Sequence, residues 1–290
     1  MAATEADKAR VFAPAKINLF LHVGGKRPDG YHELESLVVF ARIGDQLVFE
    51  CAGELSLTID GPFADALTHD PNNLVLKAAG ALAAHASVWK GACIALTKNL
   101  PVASGIGGGS ADAAAALRGL NELWQMNLSA EELRSLAAQI GSDVPVCVES
   151  KSAWMEGRGE KVTVLADIPN VPLVLVNPGT AVSTGKVFAA LQNRHGVGLP
   201  PPPPMKGAAE FVAYLKTTAN DLEAPARAIA PAIGEVLDAL AAQPGVLLAR
   251  MSGSGATCFA LFENEAAAHS AASAIGAHRR NWWVIATMTA

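Results

Sequence analysis

The chain has 290 residues, 51% of them hydrophobic, so it can form one large domain or two ordinary ones with a full core. Its formal charge of −5, from 22 basic and 27 acidic residues, gives no basic surface for nucleic acid or an anionic membrane. The four cysteines lie far apart without a C-x-x-C pair, which favours a reduced, cytoplasmic protein. No run approaches the ~18 apolar residues of a membrane span, and nothing indicates an obligate protein partner.

The first predicted element is a strand over residues 13–23. Its sequence alternates, so that Lys16, Asn18 and His22 share one face while apolar side chains occupy the other. Polar chemistry is therefore expected on one side of this strand, with His22 in a structural role.

Further elements follow in chain order. A turn over residues 27–30 delivers Tyr31 and His32. Strands are predicted at 35–43, 46–51, 55–60, 91–98, 161–166 and 172–176, and helices at 73–86, 110–124, 129–140, 184–193, 207–217 and 226–242. The five prolines at 200–204 predict polyproline II geometry in a surface linker. Mixed βα units in both halves predict an α/β (α+β) protein of two layers, divided near residue 160.

Residues 101–115 contain a glycine-rich loop that runs into an alanine-rich helix. Gly105 and Gly107–Gly109 let backbone N–H groups approach a ligand, and a helix N-terminus adds donors and partial positive charge, so the loop is suited to phosphate. It is not a P-loop, because Gly109 is followed by Ser110 rather than lysine, and a dinucleotide fingerprint would need glycine at 110. A purely structural glycine turn remains the alternative.

Four segments in this order resemble the GHMP small-molecule kinases. They are Ala-Pro-Ala-Lys-Ile-Asn at 13–18, Arg-Pro-Asp-Gly-Tyr-His at 27–32, the glycine loop, and Gly-Ser-Asp-Val-Pro at 141–145, while residues 251–257 resemble the third motif of that family. The resemblance implies a ribosomal protein S5 domain 2-like, ATP-binding N-terminal domain over 1–160. It also implies a ferredoxin-like C-terminal domain over 161–290 that contributes to the substrate cleft.

The motifs are most similar to members that phosphorylate a hydroxyl of a cytidine diphosphate-linked methylerythritol. Those members use ATP and Mg²⁺ in the non-mevalonate route to isoprenoid precursors. The resemblance assigns Lys16 and Asp143 as the catalytic pair. The chemistry suits phosphoryl transfer, which asks for charge stabilisation and a carboxylate that can take the hydroxyl proton. The alternative for Lys16 is a solvated strand lysine, and the alternative for Asp143 is a helix cap. Asn18 is expected to bind the substrate hydroxyl or phosphate.

The resemblance also implies a site for the cytosine base. Tyr31 and His32 match the nucleobase site of the family, and Phe188 matches a second aromatic, so the base would stack between Tyr31 and Phe188. Stacking accepts any base, so selection of cytosine is expected from hydrogen bonds at His32 and nearby main chain.

On the ATP side, the resemblance assigns phosphate binding to the glycines and the serine of the loop, with Ser110 near magnesium. Asp112, which would repel phosphate, is expected to compensate the helix dipole. The expected ATP-binding residues are Gly105, Gly107, Gly108, Gly109 and Ser110 at the phosphates, and Asn73, Leu74 and Lys98 at the adenine.

The sequence alone leaves three rival functions open. Another GHMP kinase would act on homoserine, mevalonate or a sugar, but such substrates need no aromatic sandwich. A nucleotide-binding oxidoreductase is disfavoured by the failed fingerprint. A non-catalytic phosphate-binding regulator would keep the glycines but has no need of Lys16 with Asp143. His195 has no metal-ligand spacing and is expected in a surface loop.

Overall fold

The computed structural model describes residues 8–67, 72–86 and 91–290. In these residues the strands are β1 Lys8–Asn18, β2 His22–Lys26, β3 His32–Ala52, β4 Leu55–Asp60, β5 Gly91–Thr97, β6 Ala153–Gly157, β7 Lys161–Val164, β8 Pro172–Asn177, β9 Val246–Met251, β10 Cys258–Phe262 and β11 Trp283–Met288. The α-helices are α1 Leu74–Ala86, α2 Gly108–Leu123, α3 Ala130–Ile140, α4 Val144–Cys147, α5 Thr184–Ala189, α6 Ala208–Leu215, α7 Glu223–Ile229, α8 Ala232–Ala241 and α9 Glu265–His278. The predicted mixture of α and β structure is confirmed. No helix in the described ranges is long and apolar enough to cross a membrane.

The chain forms two compact units that interleave along the sequence. Unit 1 contains the described residues up to Ala15, with Ile43–Val102 and Gly107–Ser150. Unit 2 contains Lys16–Arg42, Ala103–Ile106 and Lys151–Ala290. Strands β1 and β3 and the glycine loop therefore contribute residues to both units.

Unit 1 positions the start of α2, which follows the glycines. The second part of β3 pairs antiparallel with β5, and β5 pairs parallel with β4. Helix α2 presents its alanines to the interior and packs on α1, α3 and α4. It also lies close to β3, because a Cβ on Gly119 would fall 2.2 Å from the Phe49 ring. Tight packing along its length therefore fixes the N-terminus of α2.

Unit 2 contains two strand systems. The first part of β3 pairs antiparallel with β2 and β6, and β6 pairs antiparallel with β7. A separate antiparallel sheet has the order β11-β8-β10-β9, with α8 and α9 packed on it. If β8, β9, β10 and β11 are counted as strands 1 to 4 of this sheet, their order is 4-1-3-2, and helices connect strand 1 to strand 2 and strand 3 to strand 4. This is the predicted ferredoxin-like arrangement. Its core includes Val174, Val176, Ile233, Val236, Leu240 and Phe262.

Several predicted boundaries are wrong for identifiable reasons. The helix expected over 226–242 is two helices, α7 and α8, because Pro231 lacks a backbone N–H and stands at the N-cap of the second helix. The strand expected over 13–23 is β1 followed by β2, since the chain turns aside at Leu21 to bridge with Asn220. Strands β6, β9, β10 and β11 and helices α4 and α9 were not predicted. Residues 200–204 lie outside helices and strands.

Candidate active site

Lys16 and Asn18, at the end of β1, form a buried polar cluster in unit 2. The Lys16 side chain donates from Nζ to Asn18 Oδ1 at 2.7 Å, and Asn18 Nδ2 donates to Ser36 Oγ at 2.8 Å. Ser36 Oγ in turn donates to the Phe20 carbonyl at 2.5 Å. Lys16 is only 2% exposed, so the alternative of a solvated strand lysine is wrong. The sequence placed the two polar residues on one face, but the structure shows that both faces of the strand are buried over residues 13–18.

The third motif joins this cluster to the first part of the glycine loop. Ser252 Oγ accepts from Asn18 N–H at 3.1 Å and donates to the Gly105 carbonyl at 3.0 Å. Lys16 N–H donates to the Ile106 carbonyl at 2.9 Å. Asn220 shapes the motif, since its Nδ2 donates to the carbonyls of Met251 and Gly253, at 2.8 Å each. Three segments that resemble the kinase motifs thus meet within unit 2.

The second part of the glycine loop begins α2 in unit 1. Gly107 is the residue before the helix and has φ of +63°, a conformation that glycine adopts readily. The first N–H groups of a helix have no partner within it, so those of Gly108, Gly109 and Ser110 are available to an anion. A Cβ on Gly109 would lie 3.6 Å from Leu74, and one on Gly108 would lie 3.1 Å from Lys98 Nζ. The helix terminus therefore presents donors beside two of the residues expected at the adenine.

Lys98 lies in a buried ionic network below the loop. Its Nζ donates to Asp112 Oδ2 at 2.6 Å and also to Asp45 Oδ2. Asp45 Oδ1 accepts from the N–H groups of Asn99 and Leu100, at 2.6 Å and 2.8 Å. Burial lowers the pKa of Lys98, but Asp112 and Asp45 outweigh it and raise that pKa. The Lys98 ammonium is thus held by the side chains of Asp45 and Asp112.

The sequence suggested that Asp112 compensates the helix dipole, but in the structure it does not. It lies in the second turn of α2 and turns inward to Lys98, with its Oδ1 buried and without a hydrogen-bond partner in the described residues. Burial raises the pKa of Asp112 to about 8, although Lys98 opposes the shift. One lysine faces two carboxylates here, so protonating Asp112 relieves the excess negative charge.

Asp143 stands directly before α4 in unit 1. It is half-buried, and its side chain makes no capping hydrogen bond to the helix in the described structure. Asp143 therefore occupies the N-cap position of α4, as the alternative has it, but without a side-chain capping bond. The helix begins with Pro145 in its first turn, and Val144 N–H donates to the Gly141 carbonyl at 3.2 Å, which sets the turn that carries Asp143. Lys16 and Asp143 belong to different units.

Asn73 precedes α1 in unit 1. Its Oδ1 accepts from Val75 N–H at 2.9 Å, so this expected adenine residue also caps the helix.

Two of the residues expected at the base, His32 and Phe188, contact each other in unit 2. The His32 ring stacks on Phe188, with centroids 5.3 Å apart and an interplanar angle of 17°. Tyr31 is 50% exposed, and Arg158 lies over its ring at 5.2 Å. The predicted turn over residues 27–30 is confirmed, since Gly30 N–H donates to the Arg27 carbonyl at 3.1 Å. The structure thus provides exposed aromatic surface beside an imidazole.

His32 carries little positive charge near neutral pH. Burial lowers its pKa below the ordinary 6.5, and the positive charges of Arg194 and Lys26 lower it further. A neutral imidazole has one donor and one acceptor, which allows it to distinguish the edges of nucleobases.

Two buried carboxylates, which the sequence did not predict, accept hydrogen bonds from the backbone of the loop after α5. Asp221 Oδ2 accepts from the N–H groups of Val23 and His195, and its Oδ1 contacts the His195 ring. Glu35 accepts from Gly198 N–H at 3.1 Å and from the next residue of the loop. His195 is exposed, as expected, and stacks on His22 at 4.9 Å. His22 itself accepts from Ala219 N–H, consistent with a structural role.

Ser36 and Ser252 were missed as well. Ser36 lies between Glu35 and the apolar residues 37–41 of β3, and nothing in this local sequence marks its role. Metal-binding clusters give no further signal, because the described residues contain no group of three or more His, Cys, Asp or Glu side chains that could hold an ion.

The comparisons with known proteins agree with this geometry. The GHMP kinases N terminal domain matches residues 73–151, and the GHMP kinases C terminal domain matches residues 207–281. These matches define the class as a GHMP kinase, an ATP-dependent kinase of small molecules.

Relatives narrow the assignment. A 4-diphosphocytidyl-2-C-methyl-D-erythritol kinase from Parvibaculum lavamentivorans is 52% identical over 94% of this chain and 95% of that protein. One from Cereibacter sphaeroides is 54% identical over 94% of this chain and 96% of that protein. A crystal structure of 4-(cytidine 5'-diphospho)-2C-methyl-D-erythritol kinase is 33% identical, has a TM-score of 0.76, and covers 97% of this chain and 100% of that one. The chain therefore belongs to the 4-diphosphocytidyl-2-C-methyl-D-erythritol kinase family of GHMP kinases.

This membership confirms the predicted family, the two-domain fold and the kinase activity. The rival classes of oxidoreductase and non-catalytic regulator are excluded by it.

Proposed function

We propose that this chain transfers the γ-phosphoryl group of ATP to a hydroxyl of 4-diphosphocytidyl-2-C-methyl-D-erythritol, in the non-mevalonate route to isoprenoid precursors. The names of relatives at 52% and 54% identity support this substrate. The observation that carries the mechanism is the buried Lys16 ammonium, fixed by Asn18 beside the glycine loop's first residues. A buried, oriented cation serves a reaction whose transition state is anionic.

ATP binds at the start of α2 in this proposal. The N–H groups of Gly108, Gly109 and Ser110 hold phosphate oxygens, with help from the helix dipole. Asn73 and Leu74 line the adenine. Lys98 supports the loop from below, because its Nζ lies against Gly108 and its charge is held by Asp45 and Asp112.

Magnesium fits this site as an ion that arrives with ATP. Mg²⁺ usually keeps several waters and binds substrate phosphates with only one or two protein ligands, so it needs no preformed cage. Ser110, half-buried in the first turn of α2, offers a hydroxyl beside the phosphates. The bound ion would neutralise charge on the transferred phosphoryl group.

The chemical step uses Asp143 and Lys16 as a pair. Asp143 accepts the proton of the substrate hydroxyl as its oxygen forms a bond to the γ-phosphorus. The bond from that phosphorus to the β,γ-bridging oxygen breaks, and ADP leaves with the electron pair. Lys16 stabilises the charge on the reacting oxygens, while Asn18 hydrogen-bonds Lys16 and orients the hydroxyl.

The cytidine end is recognised by stacking and hydrogen bonding. Phe188 and Tyr31 supply ring faces, each base stack being worth roughly 1–3 kcal/mol. Neutral His32, with nearby main chain, reads the amine and ring acceptor of cytosine. Uracil reverses part of that pattern and leaves polar groups unpaired.

A coupled ADP-release assay with ATP and Mg²⁺ tests the proposal. Turnover is expected with 4-diphosphocytidyl-2-C-methyl-D-erythritol and not with homoserine, mevalonate or galactose at equal concentration. Phosphorus NMR of the product identifies the phosphorylated hydroxyl. Comparable turnover of homoserine would overturn the substrate assignment but leave the kinase class intact.

A further inference from the structure

The Asn18 amide can face Lys16 in two ways. Its oxygen and nitrogen ends have nearly the same size, but only the oxygen can accept from an ammonium. A flipped amide would turn its NH₂ group toward the Lys16 NH₃⁺ group and break the hydrogen bond. The hydrogen bond between Lys16 and Asn18 therefore depends on what fixes the amide.

Ser36 imposes that choice through the polarity of its hydroxyl. A hydroxyl has a single proton, and that of Ser36 is donated to the Phe20 carbonyl at 2.5 Å. Toward Asn18 the Ser36 oxygen can therefore only accept, so it demands the NH₂ end of the amide, which it receives at 2.8 Å. The oxygen end is then directed to Lys16, at 2.7 Å.

Burial makes this orientation costly to reverse. Ser36 is 0% exposed, and Asn18 is nearly as buried, so water cannot replace a lost partner. The Asn18 backbone is fixed independently, because its N–H donates to Ser252 Oγ at 3.1 Å. Rotation of the amide is therefore the remaining freedom, and Ser36 removes it.

We infer that Ser36 is a positioning residue for phosphoryl transfer, acting through Asn18 to hold the Lys16 ammonium in place. The inference rests on the proposed function, in which Lys16 acts on the reacting oxygens. Ser36 itself touches no substrate in this scheme. Its loss should thus affect the chemical step rather than the binding of either substrate.

The primary test is Ser36→Ala with steady-state kinetics on ATP and the cytidylyl substrate. We expect kcat to fall about 10- to 100-fold, the order of loss that misplacement of a catalytic group causes, while both KM values stay within about 2-fold. Thr218→Val is the matched control, because Thr218 is also buried in unit 2 and its hydroxyl likewise donates to a carbonyl, that of Leu215 at 2.7 Å, and accepts one bond, from Arg250 at 3.1 Å. This control should leave kcat unchanged.

A double-mutant cycle separates positioning from general loss of structure. In the Asn18→Asp background both side-chain oxygens accept, so orientation no longer matters. Adding Ser36→Ala there should change kcat by less than about 3-fold. Ser36→Cys, which has a similar shape but is slightly larger and hydrogen-bonds weakly, replaces the alanine variant if that fails to fold, and the same loss of kcat is expected.

The outcomes distinguish this inference from the proposed function. If the unaltered enzyme does not phosphorylate the cytidylyl substrate, the proposed function fails. If it does, a folded Ser36 variant with unaltered kcat overturns only the positioning role. A loss that Thr218→Val reproduces, or that persists in full in the Asn18→Asp background, overturns it as well.

Discussion

Gly105→Ala should destabilise the protein and weaken ATP binding together. Gly105 has φ of +79°, and a Cβ there would lie 2.5 Å from the Ser252 carbonyl oxygen and 2.7 Å and 2.8 Å from the backbone O and N of Gly255. All three are backbone atoms, which cannot swing aside as a side-chain end can. The alanine must therefore push the glycine loop away from the third motif.

The size of the effect follows from two contributions to the free energy of unfolding. Left-handed backbone costs an alanine roughly 1–2 kcal/mol, and overpacking a close contact costs roughly 1–3 kcal/mol. We expect Gly105→Ala to lose about 2–5 kcal/mol. Gly30→Ala is the matched control, because Gly30 has φ of +88° but no heavy atom within 4 Å of its Cβ position. It should show the backbone contribution alone.

Urea unfolding of both variants measures the difference directly. Steady-state kinetics should also show KM for ATP raised roughly 10-fold or more in Gly105→Ala, about 1.4 kcal/mol of lost binding, since its carbonyl is bonded to Ser252 and moves with the loop. A Gly105 variant as stable as the Gly30 control would refute the close approach. Loss of stability with native KM for ATP would refute the link between this contact and the nucleotide site.

Three further outcomes are expected. Asp143→Asn should lower kcat roughly 10²–10⁴-fold with both substrates still binding, and a nearly native kcat would remove Asp143 from the mechanism. In single-turnover assays, the double variant with Lys16→Met should lose less rate than the product of the two single losses. Phe188→Ala should raise KM for the cytidylyl substrate more than it lowers kcat, because stacking is lost equally in ground and transition states, and a change in KM for ATP alone would place Phe188 at the other site. The affinity for the cytidylyl substrate should be constant above pH 6.5 and fall as pH drops through the lowered pKa of His32, because the neutral form binds. Arg194→Ala should raise the pH at which the affinity falls, because Arg194 lowers the pKa of His32. A pH profile unchanged by this variant would contradict the role of neutral His32 in binding the base.

Local features of the site follow from neighbouring residues alone. The turn before Tyr31 needs only Asp29, whose Oδ1 accepts from Tyr31 N–H, and a glycine with positive φ. Helix α3 begins at a capping box between Ser129 and Glu132. Such interactions span two or three residues, so the sequence contains everything that decides them.

The ionic network at the glycine loop shows where that reasoning stops. Lys98 was assigned to the adenine and Asp112 to the helix dipole, yet Lys98 bonds both Asp112 and Asp45 in the interior. Asp45 lies 53 residues from Lys98 along the chain, and Asp112 lies 14 residues from it. A pattern of local periodicity gives the face on which each side chain lies, but not which distant element covers it.

The order of the motifs, the strand face shared by Lys16 and Asn18, and the glycines at the start of α2 were all determined by the sequence itself, because backbone conformation and side-chain periodicity are local. Only the tertiary structure decided that this face is buried, that Ser36 orients Asn18, and that Ser252 meets it from 234 residues away. Those contacts depend on how β1, β3 and the third motif pack, and packing selects partners by shape and by the need to satisfy every buried polar group.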